Sequence, residues 1–469
     1  MSAHVNGKPA TVGQLKESGY QPRTVREEIR DNLIARLEEG GPLFPEIHGY
    51  EDTVVPALEN ALLAEQDVIF LGERGQAKSR IIRALTGLLD DEIPALEGVE
   101  IYEEPLAPIS LEGRQKAEEL GDDAPIRWVA RGDRYGEKLA TPDITIADLI
   151  GEVDPIKVAE GRYLSDELTI HFGLIPRTNR GIFCINELPD LAERIQVGLL
   201  NIMEERDVQI RGFRVRLPLD VLIVASANPE DYTNRGRIIT PLKDRYGAQI
   251  RTHYPSELET ELEIVSQEAA PMAAPGRNIN MPDYMAEIVA EIVRLARRSP
   301  DVSQRSGVSV RASISGYETL TANAMRRGIL GGEDQIAPRI CDLWHLAPAL
   351  QGKMELETVD EGADEKVIEK LIAGAIAVVF GRYFELGELE PVIAQFKSGL
   401  AVEVGEALKA GDYAAIVGRV EGLDEALQPL NVGEDAASLA AAVEFLFEGL
   451  HLNKRLNKDV VGGNVFYRA

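Results

Sequence analysis

Cysteine is nearly absent: Cys184 and Cys341 are the only two in 469 residues. Two thiols cannot staple so long a chain, so a disulfide framework is excluded and a reducing compartment, by default the cytoplasm, is expected. Neither Cys-x-x-Cys nor His-Glu-x-x-His occurs, which removes the usual structural zinc and zincin patterns. Long apolar runs are missing as well. The longest, Leu371 to Phe380, is about half of the ~20 residues a membrane-spanning helix needs. Met1 to Lys16 is polar, so no signal peptide is expected there. Basic charge is scarce: 50 Lys and Arg stand against 78 Asp and Glu, a formal net charge of −28. That sign argues against nucleic acid as the principal partner, because phosphate backbones require a basic surface. It leaves room for a small local basic site.

What is present fits a folded chain, 44% hydrophobic and 27% charged. Residues 1–42 read as a helical lead-in, with Val25, Ile29, Leu33, Ile34 and Leu37 at helical spacing before Gly40, Gly41 and Pro42 stop the helix. From 43 to 255, short apolar runs alternate with amphipathic helices. The runs are Val68 to Leu71, Ile182 to Ile185 and Val221 to Val224, and each ends at polar residues rather than at a hairpin turn. This pattern predicts an α/β domain with a mainly parallel sheet, whose ligands gather at the C-terminal strand ends. Beyond 256 the pattern is helical, with predicted helices over Tyr284 to Ala296 and Gly316 to Arg326, and Ala-rich stretches at Leu371 to Val379 and Ala436 to Leu446.

The strongest chemical signal follows the first apolar run: Gly72, Glu73, Arg74, Gly75, Gln76, Ala77, Lys78, Ser79 and Arg80, then an apolar helix face of Ile81, Ile82, Leu85, Leu88 and Leu89. Strand, glycine turn and helix N-terminus together make a phosphate-binding loop, whose amides cradle phosphates while the helix dipole favours their charge. Lys78 is expected to reach the β- and γ-phosphates, and Ser79 to coordinate Mg²⁺. Ala77 stands where the strict pattern has glycine. The second run ends in Asn186 and Glu187. Glu187 is expected to polarise an attacking water, and Asn186 to accept a hydrogen bond from a Mg²⁺-bound water without bringing a charge. The third run ends in Asn228, Pro229 and Glu230, where Asn228 can orient the attacking water or touch the γ-phosphate. Arg245, with Arg237 as second choice, is placed to reach a neighbouring subunit's nucleotide. Arg311 opens a predicted helix in the helical part and could couple its position to nucleotide state.

In this order the motifs resemble an AAA+ ATPase, and more narrowly the MoxR and magnesium-chelatase I-subunit group. Phe44 to Glu51, containing His48, Gly49 and Tyr50, looks like that group's adenine-contacting entry segment. Gly72 to Ser79 is similar to its phosphate loop. Gly151 to Pro155, then Gly161 and Gly173, resemble the stretch before its Walker B strand. Asn186 to Leu191 resembles its Asp-Glu-Val-Asn-Leu-Leu apart from the Asp. Asn228 to Glu230 matches sensor 1, Leu242 to Gly247 the Leu-Asp-Arg-Phe-Gly element, and Arg311 the sensor 2 position. The resemblance covers roughly residues 43–330. It implies a P-loop AAA+ core at 43–255, a helical lid with sensor 2 at 256–330 and a helical C-terminal extension at 331–469. It also implies ATP and Mg²⁺ as cofactors, a homo-oligomeric ring, usually a hexamer, and a partner with a von Willebrand factor A domain remodelled by ATP hydrolysis for metal insertion or complex maturation. Three alternatives stand beside this motor or chaperone. One is the motor subunit of a true magnesium chelatase. Another is a sigma-54-type transcription activator, whose Gly-Ala-Phe-Thr-Gly-Ala loop is missing from the sequence. The third is an ATP-binding scaffold that scarcely hydrolyses, supported by Asn186.

Overall fold

The computed structural model describes residues 7–154, 167–206, 217–228, 236–270, 272, 274–303, 306–356, 363–461 and 464–469. Pro155, Gly161, Pro229 and Glu230 lie outside the described residues. The chain divides into two compact units, Met1–His253 and Tyr254–Ala469.

The first unit is built on five parallel strands: β1 (Val68–Leu71), β2 (Tyr135–Leu139), β3 (Gly181–Asn186), β4 (Val221–Ala227) and β5 (Ala248–Arg251), in the order β2-β3-β4-β1-β5. The register pairs Leu71 with Ala227, Ile185 with Ala225 and Leu139 with Asn186. All strands run the same way, so their C-terminal ends share one edge of the sheet. Strands β3 and β4 are buried along their whole length, which is why they read as unbroken apolar runs. Strands β2 and β5 are not announced by apolar runs in the sequence. They are the two edges, and Tyr-Gly-Glu-Lys-Leu and Ala-Gln-Ile-Arg carry the polar residues that an edge exposed to water permits.

Alternate side chains of each strand go to opposite faces. Val68, Phe70, Ile182, Cys184, Leu222 and Val224 form one apolar layer with helices α2 (Val25–Glu39), α3 (Val54–Leu63) and α4 (Lys78–Ala84). Ile69, Phe183, Ile185, Ile223 and Ala225 form the other with α1 (Val12–Glu17), α5 (Glu193–Glu205) and α6 (Thr240–Arg245).

The polar lead-in is built into this unit. Thr24 and Glu27 close a capping box at the start of α2. In the same turn, Arg26 pairs with the buried Asp67, which also accepts from the Ile223 amide at 2.8 Å and from Arg206 at 2.6 Å. Glu28 receives both Nη atoms of Arg134 at 2.8 and 2.6 Å, and the Arg134 Nε donates to the Arg180 carbonyl at 2.8 Å. Arg134 is fully buried.

The second unit has one apolar core, running from Tyr284 to Tyr467. The helices Asp283–Ala296, Arg311–Gly331, Ala363–Tyr383 and Ala436–Leu452 all contribute to it. Residues 256–330 and 331–469 therefore share a single hydrophobic interior. Ala436–Leu452 is buried on nearly every side, as its apolar, Ala-rich sequence requires. This part, expected to be helical, also carries strands: Val402–Val404, Asn464–Arg468 and Asn457–Val461 form a three-stranded antiparallel sheet in that order, and Asn278–Ile279 pairs with Gln335–Ile336. Segments so short carry too few alternations to register as strands. Among the described residues, no helix is long and apolar enough to cross a membrane.

Removing one member of a buried ion pair leaves an uncompensated charge. Glu28→Ala is therefore expected to cost the first unit about 3–5 kcal/mol in denaturant-induced unfolding. A loss within the ~0.5 kcal/mol of an ordinary surface substitution would mean that the pair does not hold α2 in place.

Candidate functional site

The loop between β1 and α4 is shaped by contacts beneath it. The Gly72 amide donates to the Ala227 carbonyl at 3.1 Å, continuing the β1–β4 ladder beyond the strand. A side chain at Gly72 would put its Cβ 2.0 Å from Thr252 Oγ1 and 2.2 Å from Gln76 Oε1, so only glycine fits there. Gln76 is the internal brace. Its Oε1 accepts from the Glu73 amide at 3.0 Å and from the Thr252 hydroxyl at 2.7 Å. Gly75 and Ala77 both turn through the left-handed region, at φ 74° and 52°. Ala77 meets that demand with a methyl group on an exposed residue, where the cost is steric strain with its own backbone rather than a clash with neighbours.

Three strand ends meet at Lys78, which is 7% exposed. Its Nζ donates to the Gly72 carbonyl, to the Glu73 carbonyl at 2.7 Å and to Asn228 Oδ1 at 2.7 Å. Asn228, immediately after β4, passes the connection on: its Nδ2 donates to Glu187 Oε2 at 2.8 Å. Glu187 leaves β3 through a left-handed turn at φ 53°, and its amide donates to Ser226 Oγ at 3.3 Å. Lys78, Asn228 and Glu187 thus form one hydrogen-bonded line across the ends of β1, β4 and β3.

Asn186 is held differently. Its Oδ1 accepts from the Ser226 hydroxyl at 3.0 Å and from the Cys184 thiol at 3.4 Å, and its Nδ2 donates to Glu137 on β2. Glu137 also receives Arg83 Nε and Nη2, both at 2.9 Å, and the Tyr135 hydroxyl at 3.0 Å. Burial raises the Glu137 pKa, but the hydrogen bonds from Arg83, Tyr135 and Asn186 and the charge of Arg83 outweigh it and hold the carboxyl below its usual range. Burial also pushes the Cys184 thiol up to about 12, so it stays protonated.

The entry segment lies against the loop. Phe44, Ile47 and Tyr50 are buried, and His48 and Gly49 are partly exposed. The Tyr50 hydroxyl lies 2.9 Å from the Gln76 carbonyl and 2.8 Å from that of His253. The His253 ring meets Tyr50 edge-on at 5.0 Å, and its Nε2 is 2.8 Å from Thr53 Oγ1. Burial raises the Tyr50 pKa, which keeps the hydroxyl a donor. Arg74 is exposed, Ser79 is half-buried in the first turn of α4, and Arg80 pairs with Glu46 at 3.4 Å. Among the described residues, no group of three or more His, Cys, Asp or Glu is placed to hold a metal ion. The donor set fits Mg²⁺ only in the manner of phosphate loops, where a hydroxyl, phosphate oxygens and waters complete the shell.

The two finger candidates differ. Arg245 is held by Glu204 on α5, with Nε at 3.0 Å, and by the Pro241 carbonyl at 2.8 Å. The Arg237 side chain is 77% exposed and 3.9 Å from Glu193. Arg311 is exposed at the start of its helix in the second unit, its amide bound to Ser309 Oγ at 3.1 Å. Thr252, Ser226 and Glu137 went unnoticed in the sequence. Thr252 and Glu137 belong to the two polar edge strands or their ends, and Ser226 lies past the apolar run Val221 to Val224, in the part of β4 that its sequence does not mark as strand.

No family model matches the chain. The magnesium-chelatase 38 kDa subunit of Cereibacter sphaeroides is 28% identical over 206 residues, which cover 43% of this chain and 56% of the relative. That of Rhodobacter capsulatus is 29% identical over 253 residues, covering 50% and 64%. The chain thus spans less than two thirds of the length of these relatives. Among solved structures, a cryo-EM-based model of the complex between subunits BchI and BchD of magnesium chelatase matches with a TM-score of 0.35 and 20% identity, covering 70% of this chain and 98% of that one. The parallel sheet has the loop-to-helix turn of a P-loop fold, and in sequence the chain is similar to the magnesium-chelatase subunits.

Proposed function

We propose that the chain is a Mg²⁺-dependent ATPase of the MoxR and chelatase type, working as a homo-oligomeric, hexameric ring that remodels a protein partner carrying a von Willebrand factor A domain. The observation that carries this reading is the line from Lys78 through Asn228 to Glu187. It couples the group that meets the phosphates to the group that activates water. MgATP would supply the transferable phosphoryl group. The amides of Gly72 to Ser79 would cradle its phosphates, the Lys78 ammonium would turn from the Gly72 and Glu73 carbonyls to the β- and γ-phosphates, and the Ser79 hydroxyl would hold the metal. Once Lys78 moves, Asn228 exchanges a charged donor for the nucleotide and attacking water. Glu187, positioned by the Asn228 amide, accepts a proton from that water. His48, Gly49 and Tyr50 would border the adenine. Arg237 or Arg245 would stabilise charge on a neighbour's γ-phosphate, and Arg311 would report nucleotide state.

A second reading, the motor subunit of a true magnesium chelatase, is favoured by the names of the relatives. ATP-dependent insertion of Mg²⁺ into protoporphyrin with partner subunits present would distinguish it.

Lys78→Ala is expected to abolish nucleotide binding measured with a fluorescent ATP analogue, and full turnover in that variant would overturn the proposal. Glu187→Gln is expected to keep binding and to lower kcat by about 10²–10⁴-fold, the range of a general base. Used as bait, the same variant should retain the partner with ATP and release it with ADP. Recovery of the chain alone would remove the remodelling role. For the finger, an Arg237→Ala or Arg245→Ala subunit mixed with Lys78→Ala subunits should regain turnover if the arginine acts across the interface. A mixture as inactive as its parts would place that arginine's effect within its own subunit.

A further inference from the structure

Asn186 stands where the resemblance puts an aspartate, and its neighbours fix which way its carboxamide points. Only the NH₂ end of an amide can face a carboxylate, and that end donates to Glu137. The oxygen end therefore faces the sheet, where the Ser226 hydroxyl and the Cys184 thiol match its two lone pairs. Toward β2, Asn186 is a donor. A water bound to a divalent cation presents protons and needs an acceptor, and Mg²⁺ sites of this kind normally include a carboxylate.

Glu137 is such a group. It lies on β2 directly opposite Cys184 in register, with its side chain 22% exposed. It shares the face of the sheet that α4 covers, because both its oxygens bind Arg83. Arg83 follows Ser79 by four residues on α4, so the two stand on one face of that helix. The carboxylate thus reaches the helix face that carries the proposed metal-binding hydroxyl. It also touches the residue that would otherwise have borne the charge. Its counter-ion can be exchanged: the Arg83 side chain is 61% exposed, so water reaches the guanidinium end of the pair.

We propose that Glu137 accepts hydrogen bonds from the water shell of the nucleotide-bound divalent cation, supplying the negative charge that Asn186 lacks, and that Arg83 is the counter-ion it gives up in exchange. The carboxylate has moved from the end of β3 to the neighbouring strand, and Asn186 has become the residue that positions it. This inference rests on the MgATP reading of the loop.

The test is a Mg²⁺ titration of fluorescent-ATP binding to the full chain, with affinity in EDTA measured alongside. Glu137→Gln is expected to raise the Mg²⁺ midpoint by about 10–100-fold, the effect of losing an outer-shell metal partner, and to leave the affinity in EDTA unchanged. The double substitution Glu137→Gln with Asn186→Asp keeps the hydrogen bond with donor and acceptor exchanged, and returns the carboxylate to β3. It should recover the wild-type midpoint. Arg83→Ala should lower the midpoint by removing the competing cation. An unchanged midpoint in Glu137→Gln overturns the inference. So does an equal loss of affinity with and without Mg²⁺, which marks a purely structural role, or a double variant that stays as weak as the single one. If Glu137→Gln fails to fold, the double variant decides alone: a wild-type midpoint supports the exchange of charge, and a raised one overturns it. Wild-type protein that binds the analogue with no Mg²⁺ dependence would instead remove the ATPase reading itself, whereas Mg²⁺-dependent wild type with an indifferent Glu137→Gln removes this inference alone.

Discussion

The ammonium group of Lys78 is buried, and a buried cation is tolerated only where oxygen atoms surround it. Much of the site follows from that requirement. The Gly72 and Glu73 carbonyls must fold back over the side chain, which sets the course of the loop. The Asn228 carboxamide must turn its oxygen toward Lys78, which leaves its NH₂ for Glu187. The pairing of Leu71 with Ala227 brings Gly72 level with Asn228. A slip of one residue would turn every side chain of β4 to the other face and take Asn228 from the ammonium. The parallel sheet is therefore the means by which a lysine on one strand–helix turn, an asparagine on a second strand and a glutamate on a third come within hydrogen-bond distance.

Backbone strain is distributed along the same lines. Ala77 and Glu187 both hold positive φ, a conformation that costs a residue with a Cβ roughly 1–2 kcal/mol. Ala77 can do so because it is exposed and its methyl group meets no wall. Gly72 has an opposite constraint, since the space beside it is filled by Thr252 and Gln76. This explains why the loop departs from the strict glycine pattern before Lys78 and keeps it at its start. At Glu187 the left-handed turn redirects the chain as it leaves β3, and strain there accompanies placement of the carboxylate beside Asn228.

The parts of the site legible in the sequence are those announced by an apolar run with an abrupt polar end. Lys78, Glu187 and Asn228 each follow a buried strand, and burial on both faces writes itself as consecutive apolar residues. Helix α2 was legible too, through its spacing and its stop. The remaining parts depend on pairings that no local pattern carries. Glu28 and Arg134 meet across 106 positions, and Asn186 and Glu137 across 49. Glu137 was hidden for a further reason. It belongs to an edge strand, where a charged residue ordinarily signals exposure to water. Its role emerges only when β2 is laid beside β3 and the donor end of Asn186 is seen to face it. Arg245 shows the same limit from the other side. Its place after the third strand marked it as a reaching residue, while its bonds to Glu204 and the Pro241 carbonyl depend on α5 being packed alongside.

Charge shapes what kind of ligand recognition this frame can support. A body with a formal charge of −28 repels a polyanion at long range. That field fades beyond a Debye length of about 8 Å at physiological ionic strength. Recognition of the proposed triphosphate would therefore have to come from groups in direct reach, and the loop concentrates such groups: Arg74, Lys78, Arg80 and Arg83 lie within ten residues of one another. Arg80 is engaged by Glu46 and Arg83 by Glu137. An incoming phosphate group competes with those carboxylates for the same guanidinium groups. A divalent cation arriving with it relieves the competition, because it gives a displaced carboxylate a new positive partner. Anion and cation then favour each other's binding through exchange of partners already present. Under the proposed MgATP reading, a site assembled from paired charges in an acidic protein would take the metal and the nucleotide together more readily than either alone.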